Sequence, residues 1–549
     1  MAVPQASSAA GSSLPESSVP STTDTHRGRT VASVSFLTLI VAIFGYLREA
    51  TLAARFGVSA TMDAYFGAFF IPNIVYIVLV LGTLSPIFIP ILLQEDTGKG
   101  RFGVSDAFNA VTSFVLMVLA GLVACGMLTT HYWLPLLFPG FASSTVSLAE
   151  RLIYIIFPAV VFLGLSGIFA AALNGFQKFV LPTFAPVLSS FAVIAVALLA
   201  RGSQAIYIVG IATAFGFFLQ FLVLIPALAT LGIRFRFTLN FRHRAISRML
   251  RLGGPLFLYL TVANASLLIE RNLASRLSAG AVSALTYAIR VFAVPANFLA
   301  APLAIVAYPH FAREALRENH GELRGQLSQT LRFVVFLFLP ATVWTVLNAL
   351  PITRVLYERG QFLPQDSLVI SRVLMLYGIG ILPNAVAVIL LRCFYAMQDT
   401  VTPLLAESVD LCFYLLTAPL LLRRFGLQGL AVTRGMTFFV VAAILSVALL
   451  RRNFLKIHWE TLRFFVRTAT ASIAMGLVSW TALRLLQRWF DSGGTPLRLG
   501  VLVLVFSASV GTLLVVARLL KLQEADRIVK AALDLISSVG WMSERRSLS

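Results

Sequence analysis

Charge is scarce in this chain. Of 549 residues only 12% are Asp, Glu, Lys or Arg, about half the share of an ordinary soluble domain. Acids are rarer still, 23 against 43 Lys and Arg. The three cysteines, Cys125, Cys393 and Cys412, all lie inside apolar runs, which argues against a disulfide framework or a thiolate metal site. The six histidines are scattered and form no HxxxH or HExxH pair. The alternating ten-residue segments of a membrane β-barrel are missing. So is any long acidic loop able to house a transferase active site. A net charge of +20 invites a nucleic-acid reading, but the basic residues sit between apolar runs, where they serve as a membrane-orientation signal instead. No nucleic-acid partner is expected.

What is present is hydrophobic sequence, 58% of the chain, in runs of about 20 residues, the length that crosses a hydrocarbon core. The pattern predicts an all-α polytopic membrane protein with about fourteen helices, near 33–56, 63–94, 106–134, 150–175, 181–200, 205–231, 250–277, 281–312, 327–350, 367–396, 402–422, 427–450, 466–487 and 498–518. Arginines and lysines mark one side. The loop after the sixth span carries Arg234, Arg236, Arg242, Arg244, Arg248 and Arg251, and further basic loops follow the eighth and twelfth spans. Opposite loops such as "FGVSATM" carry almost none; Arg354, Arg359, Arg423 and Arg424 are exceptions. Both termini are therefore expected in the cytoplasm. The Ser/Pro-rich residues 1–32 lack a basic stretch followed by an apolar one, so they read as a disordered cytoplasmic tail and not as a secretory signal. Residues 519–549 have apolar positions at helical spacing, as in an amphipathic helix on the inner leaflet.

The chain repeats itself. "LREATLAARFG" with Arg48 resembles "LIERNLASRLS" with Arg271, and "FFIPN" with Pro72 matches "FAVPAN" with Pro295, both pairs 223 residues apart. Pro90 and Pro309 stand 219 apart, and Pro182 and Pro403 stand 221 apart. Each copy holds six spans, an even number, so both share one orientation. The expected domains are a six-helix lobe at 33–231, a basic linker at 232–249, a second six-helix lobe at 250–450, and two extra spans within 451–518. Two lobes facing each other enclose a cavity, the usual basis of alternating access. Prolines in the second and eighth spans (Pro72, Pro86, Pro90 with Gly82; Pro295, Pro302, Pro309) supply bending points.

Charges inside spans are costly and mark function by default. Arg48, Arg55, Arg271 and Arg290 are the cationic candidates. Glu270, Glu407 and Asp410, with the Thr433 hydroxyl, are candidates for coupling to an ion such as sodium. Glu270 has a rival role, pairing with Arg271 or another arginine. Membrane potential acting on a charged substrate is an equal alternative, and no bound cofactor is expected.

With these stretches in view, the chain resembles the MurJ/MviN family of lipid II flippases, in the multidrug, oligosaccharidyl-lipid and polysaccharide exporter superfamily. The resemblance rests on "GYLREATLAARFGVSATMDAYFGAFFIPN" (45–73), "FVLPTFAPVL" (179–188), "GAVSALTYAIRVFAVP" (280–295), "LYERGQF" (356–362) and "RCFYAMQDTVTP" (392–403). It implies a transporter, not an enzyme, that moves a polyprenyl-pyrophosphate-linked glycan from the inner to the outer leaflet of a bacterial inner membrane. Its expected partners are that lipid, the bilayer and cell-wall synthesis proteins. It also implies substrate contacts at Arg48, Arg55, Arg271 and Asp63, with Arg290 a further member. For Arg55 the plain alternative is a helix-end anchor, and for Asp63 a helix cap. The last two spans correspond to those that form a lipid-tail groove in the family. The chain departs from the family's second-span pattern: Tyr76 and Ile77 replace paired arginines and Leu81 replaces a Glu. Ala42 stands where another first-span arginine would be. That keeps two further readings open, a flippase for another polyprenyl-linked saccharide and a non-transporting envelope scaffold. A drug exporter would line its cavity with carboxylates, whereas arginines are expected here.

Overall fold

The computed structural model describes residues 22–78, 85–317, 319–456, 458–527 and 529–530. Gly82, Leu81, residues 1–21 of the expected tail and residues 531–549 of the C-terminal segment lie outside this set. Helices dominate the described residues, as they must where lipid offers the backbone no hydrogen bonds. Ten helices are each long and apolar enough to cross a membrane, and three bent pairs add one span each. One more helix, Trp459–Leu485, the thirteenth in chain order, is 27 residues long and is more polar because Arg463, Arg467 and Arg484 lie on it. The first helix begins at Thr22, inside the stretch read from sequence as a tail. The seventh starts at Arg244, where the His243 ring accepts the Ala245 N–H. Before it, the linker runs along the third span, with the Arg236 and Thr238 N–H groups donating to Asn109 and Ser113.

The repeat is written into the backbone. The fourth span bends by 43° between Ser143–Ile156 and Ala159–Gly175, and the tenth by 44° between Pro364–Gly378 and Ile381–Ala396. Residues with positive φ recur at the same offsets: Gly57 and Gly280, Gln177 and Gln398, Gly202 and Gly426, Gly232 and Asn453. Their separations run from 221 to 224, so two glutamines and an asparagine adopt a left-handed turn that glycine ordinarily fills. After Pro72 and Pro295 the helix widens into a π-turn, at 76–78 and at Ala296–Ala300. Both prolines remove an N–H and loosen the same point of the second and eighth spans.

Each lobe packs small and aromatic residues inward, and one continuous apolar core joins them. Large side chains such as Leu199, Ile305, Leu416 and Leu504 remain outside, where lipid, not water, is their solvent. Asp399, in the turn before the eleventh span, ties that span to the twelfth. It accepts the Val401 and Thr402 N–H groups, each at 3.0 Å, and meets Arg452 Nη1 at 2.7 Å. Partial burial alone would raise its carboxyl. The Thr402 hydroxyl and N–H, with the Arg452 guanidinium, outweigh that and hold it at about 2.

At one end of the bundle the two lobes touch backbone to backbone. The Gln361 N–H donates to the Ala54 carbonyl at 2.8 Å. A Cβ on Gly360 would lie 2.2 Å from that carbonyl oxygen, and one on Gly57 2.5 Å from the Gln361 oxygen. Gly140 packs as closely on Ser275. Asn272 donates to the Leu136 and Leu137 carbonyls at 2.9 and 3.1 Å, and the Tyr46 hydroxyl to the Leu356 carbonyl at 2.8 Å. These contacts join the ends and following loops of spans one, three, seven and nine.

Two outcomes follow. Cysteines at Ala54 and Gln361, in a background free of the three native thiols, should cross-link readily in the resting protein. Adding Gly360→Ala should sharply reduce that cross-link on a denaturing gel, because its Cβ has no room in the seal. Asp399→Asn should lower stability by about 1 kcal/mol at neutral pH. An unfolded Asp titrates near 3.9, above the folded value, so the difference from wild type should be full above that pH and fade as pH falls through about 2. Denaturant unfolding at several pH values measures it.

Candidate functional site

Inside the seal lies an arginine cluster built from both lobes. Arg48 and Glu49 end an apolar stretch of the first span, and Glu49 is buried. Arg48 Nη2 donates to Glu49 Oε1 at 2.9 Å. Arg290, midway along the eighth span, brings its Nε to 3.6 Å from the same oxygen. A buried carboxylate needs such partners, since unpaired it costs several kcal/mol. The cluster is nevertheless under-filled. Arg48 Nε and Glu49 Oε2 are buried with no hydrogen-bond partner, and the Arg290 side chain is 46% exposed. Two guanidinium forks from opposite lobes therefore share one carboxylate and keep donors to spare, the arrangement that suits a multi-oxygen anion.

The sequence pattern places Arg271 opposite Arg48; in the structure Arg290 meets that group instead. Arg271 donates to the Val282 carbonyl at 3.0 Å and to the Thr286 hydroxyl, and stacks 5.7 Å from the Phe70 ring centroid. It pins the seventh span to the eighth and touches the opposite lobe. Asp63 has left the cavity for the seal. Its Oδ2 accepts the Gly280 N–H at 2.6 Å and its Oδ1 the Ser283 N–H at 2.7 Å. It thus caps a helix, as the plain alternative has it, but the helix belongs to the other lobe. Arg55 donates to the Ala200 carbonyl at the end of the fifth span, a helix-end anchor remote from Glu49. Tyr76, at the first of the two departing second-span positions, packs with Ala159, Leu163 and Phe217 inside the N-terminal lobe. Glu49 was the residue missed. Its signal was an acid next to an arginine in an apolar run, too short-range to reveal a partner 241 positions away.

The coupling candidates form a second cluster within the C-terminal lobe, beside a cavity of about 290 Å³. There Arg434 is the organiser. Its Nη2 donates to Glu270 Oε2 at 3.1 Å and its Nη1 to Ser266 at 3.1 Å, while Asp410 Oδ2 lies 3.9 Å away. The guanidinium stacks 4.4 Å from the Tyr414 ring centroid, and the Tyr377 hydroxyl donates to Glu270. Thr433 turns its hydroxyl back to the Gly429 carbonyl of its own helix, and Glu407 lines the cavity wall. Glu270 pairs with Arg434, not with its neighbour Arg271. Arg434 thus pairs directly with Glu270 and stands 3.9 Å from Asp410, while the Thr433 hydroxyl donates to its own helix.

Next to the arginine cluster runs an apolar groove of about 750 Å³ between spans one, eight, nine, thirteen and fourteen. Tyr46, Val291 and Val294 line its near end, Phe336 and Leu514 its far reach. Val291 and Val294 flank the turn that carries Arg290, so groove and cations adjoin.

A two-lobed bundle of fourteen helices, repeated in parallel around a cationic centre, defines a membrane transporter. Among solved structures this chain is similar to "Lipid II flippase MurJ, inward closed conformation" at TM-score 0.75 and 22% identity, covering 88% of this chain and 98% of that one. An inward-facing multidrug resistance MATE family transporter of the MOP superfamily aligns at TM-score 0.61 and 14% identity, covering 76% and 98%. These likenesses establish the fold. In sequence, the family model described as lipid II flippase MurJ matches residues 52–501. Curated relatives include the lipid II flippase MurJ of Burkholderia cenocepacia, 30% identical over 83% of this chain and 90% of its own length. The probable lipid II flippase MurJ of Vibrio cholerae is 27% identical over 84% and 90%. The chain belongs to the MurJ family.

Removing one partner of a buried ion pair costs roughly 3–5 kcal/mol. Arg434→Met should therefore strongly lower the thermal unfolding temperature in detergent. Adding Glu270→Gln should restore much of the loss, because the uncompensated acid is then gone; equal losses for single and double variants would refute the pairing.

Proposed function

We propose that this protein carries lipid II, a polyprenyl-pyrophosphate-linked glycan, from the inner to the outer leaflet of a bacterial inner membrane by alternating access, with both termini in the cytoplasm. The observation that supports this most is the pair of under-filled arginines, Arg48 and Arg290, one from each lobe, beside an apolar groove of about 750 Å³ that could take an isoprenoid chain. A pyrophosphate offers several oxygens to two planar forks, each always charged. Bound there, it competes with Glu49 for both arginines. The family membership and the names of its relatives point to the same substrate.

Arginines of two lobes on one anion give the cycle its physical logic. With the seal closed, Glu49 links the lobes through Arg290. A pyrophosphate that takes over both guanidinium groups removes the need for that link and leaves the lobes free to part at the sealed end. Driving force comes from the membrane potential, which acts on the lipid's negative charge with roughly 2.3 kcal/mol per charge per 100 mV. Sodium is not needed, since Arg434 supplies the cation among the buried acids of the C-terminal lobe.

The second reading, a flippase for another polyprenyl-linked saccharide, is favoured only by Tyr76, Ile77 and Ala42 replacing arginines of the family pattern. Tyr76 packs within its own lobe and Ala42 lines the apolar groove, so these two changes leave the Arg48–Arg290 pair intact.

The test is rescue of a cell depleted of its lipid II flippase, at matched membrane abundance, alongside labelled lipid II movement in liposomes. Wild type should rescue, and Arg48→Ala and Arg290→Ala should each reduce transport at least tenfold. Arg48→Lys should also fall well short, since a point charge lacks the fork. Transport should follow an imposed potential and persist when sodium is exchanged for choline. A well-expressed wild type that neither rescues nor moves lipid II would overturn the substrate; a strict sodium requirement would overturn the coupling.

A further inference from the structure

The arginine cluster accounts for the cationic charge at the centre of the protein, but not for a second concentration at its edge. Where the ninth, thirteenth and fourteenth spans end on the linker side, Arg332, Arg463, Arg467 and Lys521 surround a cavity of about 260 Å³. Glu460 and Glu524 complete the rim, leaving two positive charges in excess. Among the described residues, none of the four cations forms an ion pair. Arg463 and Arg467 stand four apart on one helix, a like-charge spacing that costs a few tenths of a kcal/mol when nothing compensates it. Arg332 lies flat on the Phe464 ring, 5.2 Å from its centroid, which fixes its direction. Among the described residues, Glu460 and Glu524 are the acids that line this cavity, against four cations.

After Leu519 the chain closes its helix with a left-handed residue, Lys521, whose φ is 55°. The Leu522 N–H then returns to the Ala517 carbonyl at 2.9 Å. That turn drives Leu522 and Ala525 into a small core with Phe336, Phe464 and Ala517. Lys521 is held over the cavity as a result. Phe336 belongs to this core and also lines the long apolar groove, so the cavity sits one helical turn beyond that groove's far reach.

Its surroundings are those of a headgroup layer. Trp459, at the start of the thirteenth helix, is exposed, as aromatic residues at a membrane interface commonly are. On the outward faces beside the cavity, Leu462, Phe465, Val466 and Leu519 are also exposed. A soluble anion would use only the cations. A glycerophospholipid would use both, placing its phosphate among the arginines and its acyl chains along the apolar faces.

We propose that this cavity binds the phosphate of an anionic glycerophospholipid, which clamps spans nine, thirteen and fourteen to the start of the C-terminal segment. The site is separate from the Arg48–Arg290 cluster, so it stands or falls independently of the transported substrate.

The test uses the full-length protein in detergent, titrated with dioleoyl phosphatidylglycerol, dioleoyl phosphatidylcholine or inorganic phosphate. Retained lipid is read by native mass spectrometry and stability by thermal unfolding. Phosphatidylglycerol should be retained and should raise the unfolding temperature, while phosphatidylcholine should do neither. Arg463→Gln/Arg467→Gln should weaken phosphatidylglycerol retention at least tenfold with lipid-free unfolding unchanged, and Arg463→Lys/Arg467→Lys should keep most of it. Should the glutamine pair fold poorly, Lys521→Gln gives the same reading, with a loss of severalfold. Equal retention of both lipids, or undiminished retention by the glutamine variants, overturns the proposal. Full stabilisation by millimolar inorganic phosphate alone overturns the lipid assignment in favour of a soluble anion.

Discussion

Low dielectric governs this molecule. In a hydrocarbon core no water is available to satisfy a polar group, so each backbone N–H must be bonded within its helix and each charge needs a partner. The consequence is visible at several charges inside the spans. Glu270 meets Arg434, Asp63 meets two backbone N–H groups, and Arg55 meets a helix-terminal carbonyl. At Arg48, Glu49 and Arg290, where the two lobes meet, the pairing is incomplete. The spare donors there are the ones the proposed pyrophosphate engages.

The same constraint explains how two lobes can both adhere and separate. Their seal uses backbone carbonyls, glycine surfaces and one carboxylate on a helix start. Close approach at Gly57, Gly140 and Gly360 makes the contact tight, with the Tyr46–Tyr357 and Phe66–Tyr287 ring pairs packed across it. Such hydrogen bonds contribute only about 0.5–1.5 kcal/mol each, so the seal can be exchanged for contacts elsewhere. The bends of the fourth and tenth spans and the π-turns after Pro72 and Pro295 fall at equivalent places in both lobes, so both lobes flex at matching points.

Much of this was legible from residue order. Length and apolarity of the runs are enough to establish spans, because a bilayer accepts little else, and the offset near 222 exposes the repeat. The thirteenth helix is the exception that tests the rule: three arginines dilute Trp459–Leu485, yet its length and its packing on the ninth and fourteenth spans keep it in the bundle. Arg48 was recognisable as a buried cation for the same physical reason. Its partners were less so. Arg271 and Arg290 are 19 residues apart on consecutive helices, and nothing in their spacing says which turns toward Arg48 and which clasps the eighth span. Arg434 escaped notice because an arginine in the first turns of a span ordinarily reads as an interfacial anchor.

The amino-acid sequence by itself determined the class of molecule, its span count, its internal repeat and its family, since each depends on local composition or on similarity along the chain. Tertiary structure alone decided which charges pair. Glu49 with Arg290, Asp63 with Gly280, and Glu270 with Arg434 are separated by 241, 217 and 164 positions. The energy of such pairs depends on distance and burial in three dimensions, and neither quantity is carried by residue order until the helices have packed.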